Sequence, residues 1–258
     1  MKSPAAKTRP ERRDDAPTTF RLMSKKEARA ICGSLSEPSK MPGHGYALPA
    51  QRCRLGSLLE LVPKTVCHYC YALRGRYLFP TVKAAMEKRY TSLSDPRWVE
   101  AVSTLIYRSG DRYFRWNDSG DLRDLEHLRK IVRVCLNLPR VKFWLPTREY
   151  QTVEAYRRMG SRIPANLCIR YSAHLVDGFP PVRYGLPTSG VHSGKIALPP
   201  AVHVCPAPKQ NMKCGNCRDC WDRSVKIVSH HLKYGLSDGY RKVRSDGDIA
   251  KEVNDGAH

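Results

Sequence analysis

Cys205, Cys214, Cys217 and Cys220 follow one another in a C-x8-C-x2-C-x2-C pattern. The last three are too close in sequence to pair sensibly as disulfides, so the four thiols point to a metal or a metal cluster. The C-x2-C-x2-C spacing winds three thiolates around one small volume. That favours a [4Fe–4S] cluster, with the fourth thiolate supplied from further away. A closed tetrahedral zinc site would also use all four, and zinc stands as the alternative metal.

A second group precedes it. Cys53, Cys67 and Cys70 are spaced C-x13-C-x2-C. Three thiolates on a [4Fe–4S] cluster leave one iron open to bind a substrate or cofactor, which is the logic of a catalytic rather than a structural centre. The competing reading makes Cys53 irrelevant and Cys67/Cys70 half of a single zinc site shared with two later cysteines. Cys32, Cys135 and Cys168 read as small buried hydrophobes.

These groups need a scaffold, and the sequence supplies an alternation. Residues 24–35 suit a short helix with Ser24 as N-cap and Glu27 at N3. Residues 36–66, rich in Gly and Pro, read as an ordered loop region. Helices follow at 81–93 and 95–110, the latter opened by Asp95-Pro96. A strand at 111–121, a strongly amphipathic helix at 122–138, a strand at 140–149, a helix at 150–160 closed by Gly160 and a strand at 165–173 complete a β-α-β-α-β order. That order predicts parallel strands joined by helical crossovers, an α/β fold forming a partial or full parallel barrel. "KIALPP" and "VHVCPA" suit two further strands. The strand ends "NDSGD", "PTRE", "YSAH" and "CPAPKQ" are all polar, and chemistry in parallel α/β folds sits at such ends.

The chain of 258 residues carries 45 Lys+Arg against 24 Asp+Glu, a net charge of +21. Such an excess favours a nucleic-acid partner; the bland alternative is a solvated basic surface. No apolar run approaches a membrane span, and the charged, Pro-rich start does not read as a secretory signal. A cytoplasmic protein is expected, and in that compartment clustered cysteines favour metal chemistry over disulfides. Organisation is read as a disordered basic tail at 1–22, one α/β domain at 23–235 with both cysteine groups, and a loose polar tail at 236–258.

"CHYCYA" (67–72) resembles the end of the cysteine loop of radical S-adenosylmethionine enzymes, where an aromatic residue, here Tyr69, precedes the last cysteine. The first spacing departs from the usual three residues. Ser119-Gly120-Asp121 at a strand end resembles the segment that binds the methionine amine in that family. The resemblance implies a [4Fe–4S] cluster on Cys53, Cys67 and Cys70 and S-adenosylmethionine held near Tyr69, Ser119, Gly120 and Asp121. It further implies a 5′-deoxyadenosyl radical, an auxiliary cluster on Cys205–Cys220, and an electron donor such as flavodoxin or ferredoxin. Ser172 and His174, or Thr147, Arg148 and Glu149, become candidates for ribose, carboxylate or substrate contacts. Five stretches, "SKMPGHGYALPAQRC", "VCHYCYALRGRY", "FRWNDSGDL", "FWLPTREY" and "CPAPKQNMKCGNCRDCW", resemble the phage "gene product 88" family. That resemblance implies a viral protein working in the host cytoplasm.

The expected function is therefore an iron–sulfur radical enzyme modifying a phage DNA base. An example is isomerisation of an amino-acid-modified thymine in hypermodification that evades host restriction. Trp116, Trp144 and Tyr150 are candidates to stack on an extruded base; the alternative places them in the core, and for Trp144 in "KFWLP" the core is the favoured reading. Two other classes compete. One is a non-enzymatic nucleic-acid-binding protein stapled by zinc or iron–sulfur sites. The other is a hard-cation nuclease using Asp118, Asp121, Glu149 and His174, which no motif spacing supports.

Overall fold

The computed structural model describes residues 20–180 and 185–233. The tails expected at 1–22 and 236–258 fall outside the described residues, apart from 20–22.

Seven strands form one all-parallel sheet. They are β1 (Gly45–Tyr46), β2 (Tyr113–Trp116), β3 (Lys142–Thr147), β4 (Leu167–Val176), β5 (Thr188–His192), β6 (Val202–Val204) and β7 (Ile227–His231). Their spatial order is β1-β2-β3-β4-β5-β7-β6. The first five stand in chain order; parallel neighbours must be joined by crossovers, and helices lie in those from β1 to β2, β2 to β3 and β3 to β4, whereas the described residues between β4 and β5 form no helix. The helices are α1 (Lys25–Cys32), α2 (Arg54–Glu60), α3 (Pro80–Ser92), α4 (Trp98–Ser109), α5 (Leu125–Asn137) and α6 (Tyr150–Arg158).

Local signals set the helix ends. Ser24 Oγ accepts from Glu27 N at 3.1 Å, and Asp124 Oδ1 accepts from His127 N at 2.7 Å. Each side chain satisfies an amide that the helix itself leaves unpaired. Asp95 acts one turn early: its carboxylate accepts from Arg97 N at 2.8 Å and its carbonyl from Trp98 N.

The sheet has two different faces, as alternation along each strand requires. Phe114, Trp116, Phe143, Leu145, Leu167 and Ile169 pack into the main core with Trp98, Val102, Leu128 and Val153 from the helices. Trp116 is fully buried there, against Trp98 and Phe143. This corrects its candidacy as a base-stacking residue. The opposite face carries Tyr113, Trp144 and Val228, and Trp221 of the cysteine-rich segment packs on it. Trp144 is core, with Trp221 edge-on at 5.4 Å.

Residues 36–66 are more structured than a loop, because they contain β1 and α2. "KIALPP" forms no strand, whereas β6 lies in "VHVCPA". β5 (TSGVH) and β7 (IVSHH) are additional; their Ser, Gly and His residues mimic turn composition although the strands pair with each other over five residues. No helix among the described residues is long and apolar enough to cross a membrane.

Candidate metal centres

Cys53, Cys67 and Cys70 come together beyond the carboxyl ends of β2, β3 and β4. The loop that carries them is tied to β4: Val66 N donates to His174 O at 2.7 Å and Val176 N to Lys64 O at 2.9 Å. Cys53 is the N-cap residue of α2. Gly56, one turn on, leaves room for Cys53: a Cβ there would stand 2.8 Å from Cys53 Cβ, and within ordinary contact of both Cys53 Sγ and Cys67 Sγ, at 3.5 and 3.8 Å. Cys70 N closes a turn onto Cys67 O at 3.0 Å. Burial pushes all three thiols up; Cys70 and Cys67 raise Cys53 further, and Cys70 raises Cys67.

Charged groups surround the trio. Burial opposes the Arg148 charge, but Cys67, Asp121 and Cys70 more than offset it and its pKa is raised. Asp121 ties two strand ends together. Its Oδ1 accepts from Thr147 Oγ1 at 2.6 Å and Leu122 N at 2.7 Å, and its Oδ2 from Arg148 N at 2.8 Å. Burial raises the Asp121 carboxyl against those bonds. Gly120 has φ +79°, and a Cβ there would meet Leu48 Cβ at 2.7 Å, so only glycine fits. Ser119 O accepts from Leu48 N, while its buried Oγ has no partner. Both side-chain atoms of buried Asn117 and Nε2 of His174 are likewise unpartnered. Buried polar atoms without partners are uncommon and mark a place where a ligand can bind. Tyr69 is half-buried with its ring edge-on to His68 at 4.9 Å.

Among the other candidates, Glu149 is occupied: it accepts from Leu55 N at 3.0 Å and pairs with Arg54 at 2.8 Å. Asp118 accepts from Ser36 at 2.9 Å. Ser172 Oγ shares a hydrogen bond with Ser189 Oγ at 3.2 Å. Tyr150 stacks on His174 at 4.8 Å. Asp118, Asp121, Glu149 and His174 do not place three ligand atoms within 4.8 Å of one another among the described residues.

Cys205, Cys214, Cys217 and Cys220 line one cavity with His203, Pro206, Trp221 and Val228. Backbone bonds fix the segment: Cys205 N to Ser229 O at 2.8 Å, Cys214 N to Lys40 O at 2.9 Å and Cys217 N to Cys214 O at 3.0 Å. Burial raises the Cys214, Cys217 and Cys220 thiols. No three of the seven sulfurs in the two groups lie within 4.8 Å of one another among the described residues. Thiolates about 2.3 Å from one tetrahedral zinc would stand about 3.8 Å apart.

Several residues of this site were not foreseen. Arg170 is fully buried, Arg115 lies 4.5 Å over the Trp144 ring and donates to Tyr71 Oη at 3.2 Å, and His203 and His230 approach Cys217 and Cys220. Arg115, Arg148 and Arg170 make no carboxylate ion pair within 4.0 Å among the described residues. Arg148 faces the first thiol group, and Arg170 and Arg115 face Cys220. Arginine inside the otherwise apolar "LCIRYS" was the available signal for Arg170; His-x-Cys and Cys-x-Asp at 203–205 and 217–219 were those for His203 and Asp219.

The fold and site together define a parallel α/β protein with two cysteine groups, one at the strand ends and one covering a sheet face. The Gene product 88 family model matches residues 12–223, most of the chain, and the chain belongs to that phage family. No curated protein and no solved structure matches it.

Proposed function

We propose that the chain is an iron–sulfur enzyme of radical S-adenosylmethionine type, built on a partial parallel barrel, that modifies a phage DNA base. The gathering of exactly three candidate thiols, Cys53, Cys67 and Cys70, against Arg148 beyond the strand ends is the observation that carries it. Three thiolates leave a fourth position for a ligand, whereas a structural staple closes all four.

When bound, a cluster of this kind supplies one electron to a sulfonium ligand and so starts hydrogen-atom chemistry on a substrate. The chain's own residues prepare the place. Cys53, Cys67 and Cys70 would hold the cluster, and Arg148 balances their negative charge. Asp121 and Thr147 lock the ends of β2 and β3 into register beside it. Asn117, Ser119 and His174 offer unpartnered polar atoms for an amino-acid or ribose moiety. The net charge of +21 supports a polyanionic substrate.

The test is anaerobic purification with iron, sulfide and zinc counted per chain, for wild type and for Cys67→Ala/Cys70→Ala. Loss of about four irons in the variant fits a cubane on the first group; reductive cleavage of S-adenosylmethionine, lost in the variant, then completes the case. Stoichiometric zinc without iron overturns it and leaves a zinc-stapled nucleic-acid-binding protein.

A further inference from the structure

We infer that His203 is a ligand of the C-terminal centre, sharing one metal atom with Cys217 and held in place by Asp219. The inference rests on Cys205, Cys214, Cys217 and Cys220 forming a metal centre in which the atom on Cys217 has a position for a second protein ligand, not a cubane corner already filled by three sulfides and one thiolate; it does not rest on the chemistry proposed for the first group.

His203 sits on β6 two residues before Cys205, and both line the same cavity. Its ring is engaged at both nitrogens. Nδ1 lies 2.9 Å from Asp219 Oδ2, and Nε2 lies 3.6 Å from Cys217 Sγ. A carboxylate at Nδ1 selects the tautomer with its proton there, which leaves a lone pair on Nε2. That lone pair points at a thiol lining a cavity with three more thiols. Without metal, the Cys217 S–H can donate to Nε2; on loading, a metal atom takes the place of that proton.

The spacing suits this exchange. An imidazole nitrogen about 2.0–2.1 Å and a thiolate about 2.3 Å from one tetrahedral metal stand about 3.6 Å apart. His203, Cys217 and Asp219 are also a trio whose ligand atoms fall within 4.8 Å of one another. The Asp219–His203 pair is the carboxylate–histidine arrangement that fixes ring orientation and raises ligand basicity at metal sites. His230 makes a useful contrast. It approaches Cys220 at 3.9 Å, but its ring stacks on Trp144 and no carboxylate ion pair holds it among the described residues. Cys205 and Cys220 are buried while His203 and Cys217 are partly exposed, so the shared atom lies at the solvent edge of the centre.

The test is X-ray absorption at the edge of whichever metal the full chain carries after anaerobic purification. A Cys53→Ala/Cys67→Ala/Cys70→Ala background leaves only the C-terminal centre to contribute. A nitrogen shell at about 2.0–2.1 Å beside the sulfur shell at about 2.3 Å is expected. His203→Ala should remove the nitrogen shell. Asp219→Asn, which keeps the side-chain shape, should keep that shell while metal retention against a chelator falls about 10–100-fold. Cys217→Ser should lose one sulfur and keep the nitrogen. A sulfur-only shell, unchanged by His203→Ala, overturns the assignment. A background protein that binds neither iron nor zinc overturns the centre itself, and the assignment with it.

Discussion

Arg170 donates through Nε to the Cys220 carbonyl at 3.0 Å, from inside a strand and with no solvent exposure. Its other nitrogens donate to the carbonyls of Thr188, Asp219 and Asp222 at 3.2, 2.6 and 2.6 Å. One guanidinium thus pins the cysteine-rich segment to β4 and β5. A buried cation served only by carbonyls is costly unless negative charge lies close by. The Asp222 carboxyl, lowered first by its hydrogen bonds from Ser224 and in part by Arg170, supplies one such charge, and four thiolates around a metal centre would add the rest. Arg170→Met, similar in length, should therefore act twice. It leaves four carbonyls short of a donor, costing about 2–4 kcal/mol in a urea melt. It should also strip metal from the C-terminal centre while the first centre keeps its own. Full metal retention in Arg170→Met, counted per chain, would sink the charge-balancing role.

Gly56 offers a cleaner separation of fold from site. An added Cβ would come within 2.8 Å of Cys53 Cβ, closer than the atoms tolerate. The residue lies inside α2, where alanine is favoured over glycine by about 1 kcal/mol. None of the α2 residues is buried, so the helix can shift without opening the core. Gly56→Ala should leave the melting transition within about 1 kcal/mol of wild type yet displace Cys53 from Cys67. Loss of metal from the first centre, with an unchanged C-terminal centre, is the expected metal count. Intact loading at both would mean that the sulfurs do not converge over this glycine.

How far the sequence carried this reading depends on the residue. The helix cap at Ser24 was legible because it is a local device, a side chain and an amide three residues apart; Asp124, the same device, was read as lying inside a helix from 122. The strands β2, β3 and β4 were legible because each is rich in aromatic and aliphatic residues, YFRW, KFWLPT and LCIRYSAHLV, and ends in turn or polar residues. β5 and β7 were not, since TSGVH and IVSHH gain their burial from each other and from β4, a tertiary fact absent from local composition. The same holds for β1, whose two residues are too few for any period. Both cysteine groups were legible by type and spacing. The arginines beside them were not, because a charge inside a strand declares its purpose only when its partners, here the carbonyls of residues fifty positions away, are in view.

His127 sets the acid limit of the main core. It is fully buried in α5, with Nδ1 accepting from Arg123 N at 3.2 Å and Nε2 unpartnered. Burial pushes its pKa from 6.5 down to about 3. The unfolded chain therefore takes up a proton below pH 6.5 that the folded chain refuses until about pH 3. Stability is fully present above the unfolded value and falls as pH drops through that window, by up to about 1.4 kcal/mol per pH unit. His127→Gln keeps an acceptor for Arg123 N but cannot titrate. Burial also lowers His174, His192 and His230, so the variant should still lose stability in acid. Urea melts between pH 6.5 and about 4 should give a shallower slope for the variant by up to one proton. Parallel slopes would mean that His127 is reached by solvent in the folded state.

Metal loading of the first group should also be linked to pH, in the same sense as for an open surface thiol but over a range that extends further up. Burial raises Cys53, Cys67 and Cys70 first, and neighbouring thiols add to it at Cys53 and Cys67, although Arg148 pulls all three down in part. The metal-free thiols are therefore protonated at neutral pH, and each must release its proton to bind. Apparent affinity should rise with pH, by about tenfold per released proton for each unit, as long as the pH stays below the folded thiol values. A variant with Cys205, Cys214, Cys217 and Cys220 all changed to Ala isolates the effect. Titrated with ferrous iron or zinc in weak buffer at about pH 7.5, it should release about three protons per site filled, read with an indicator dye. Release near zero would show that Arg148 already holds the three sulfurs as thiolates. In that case Arg148→Gln should restore the release and slow the loading.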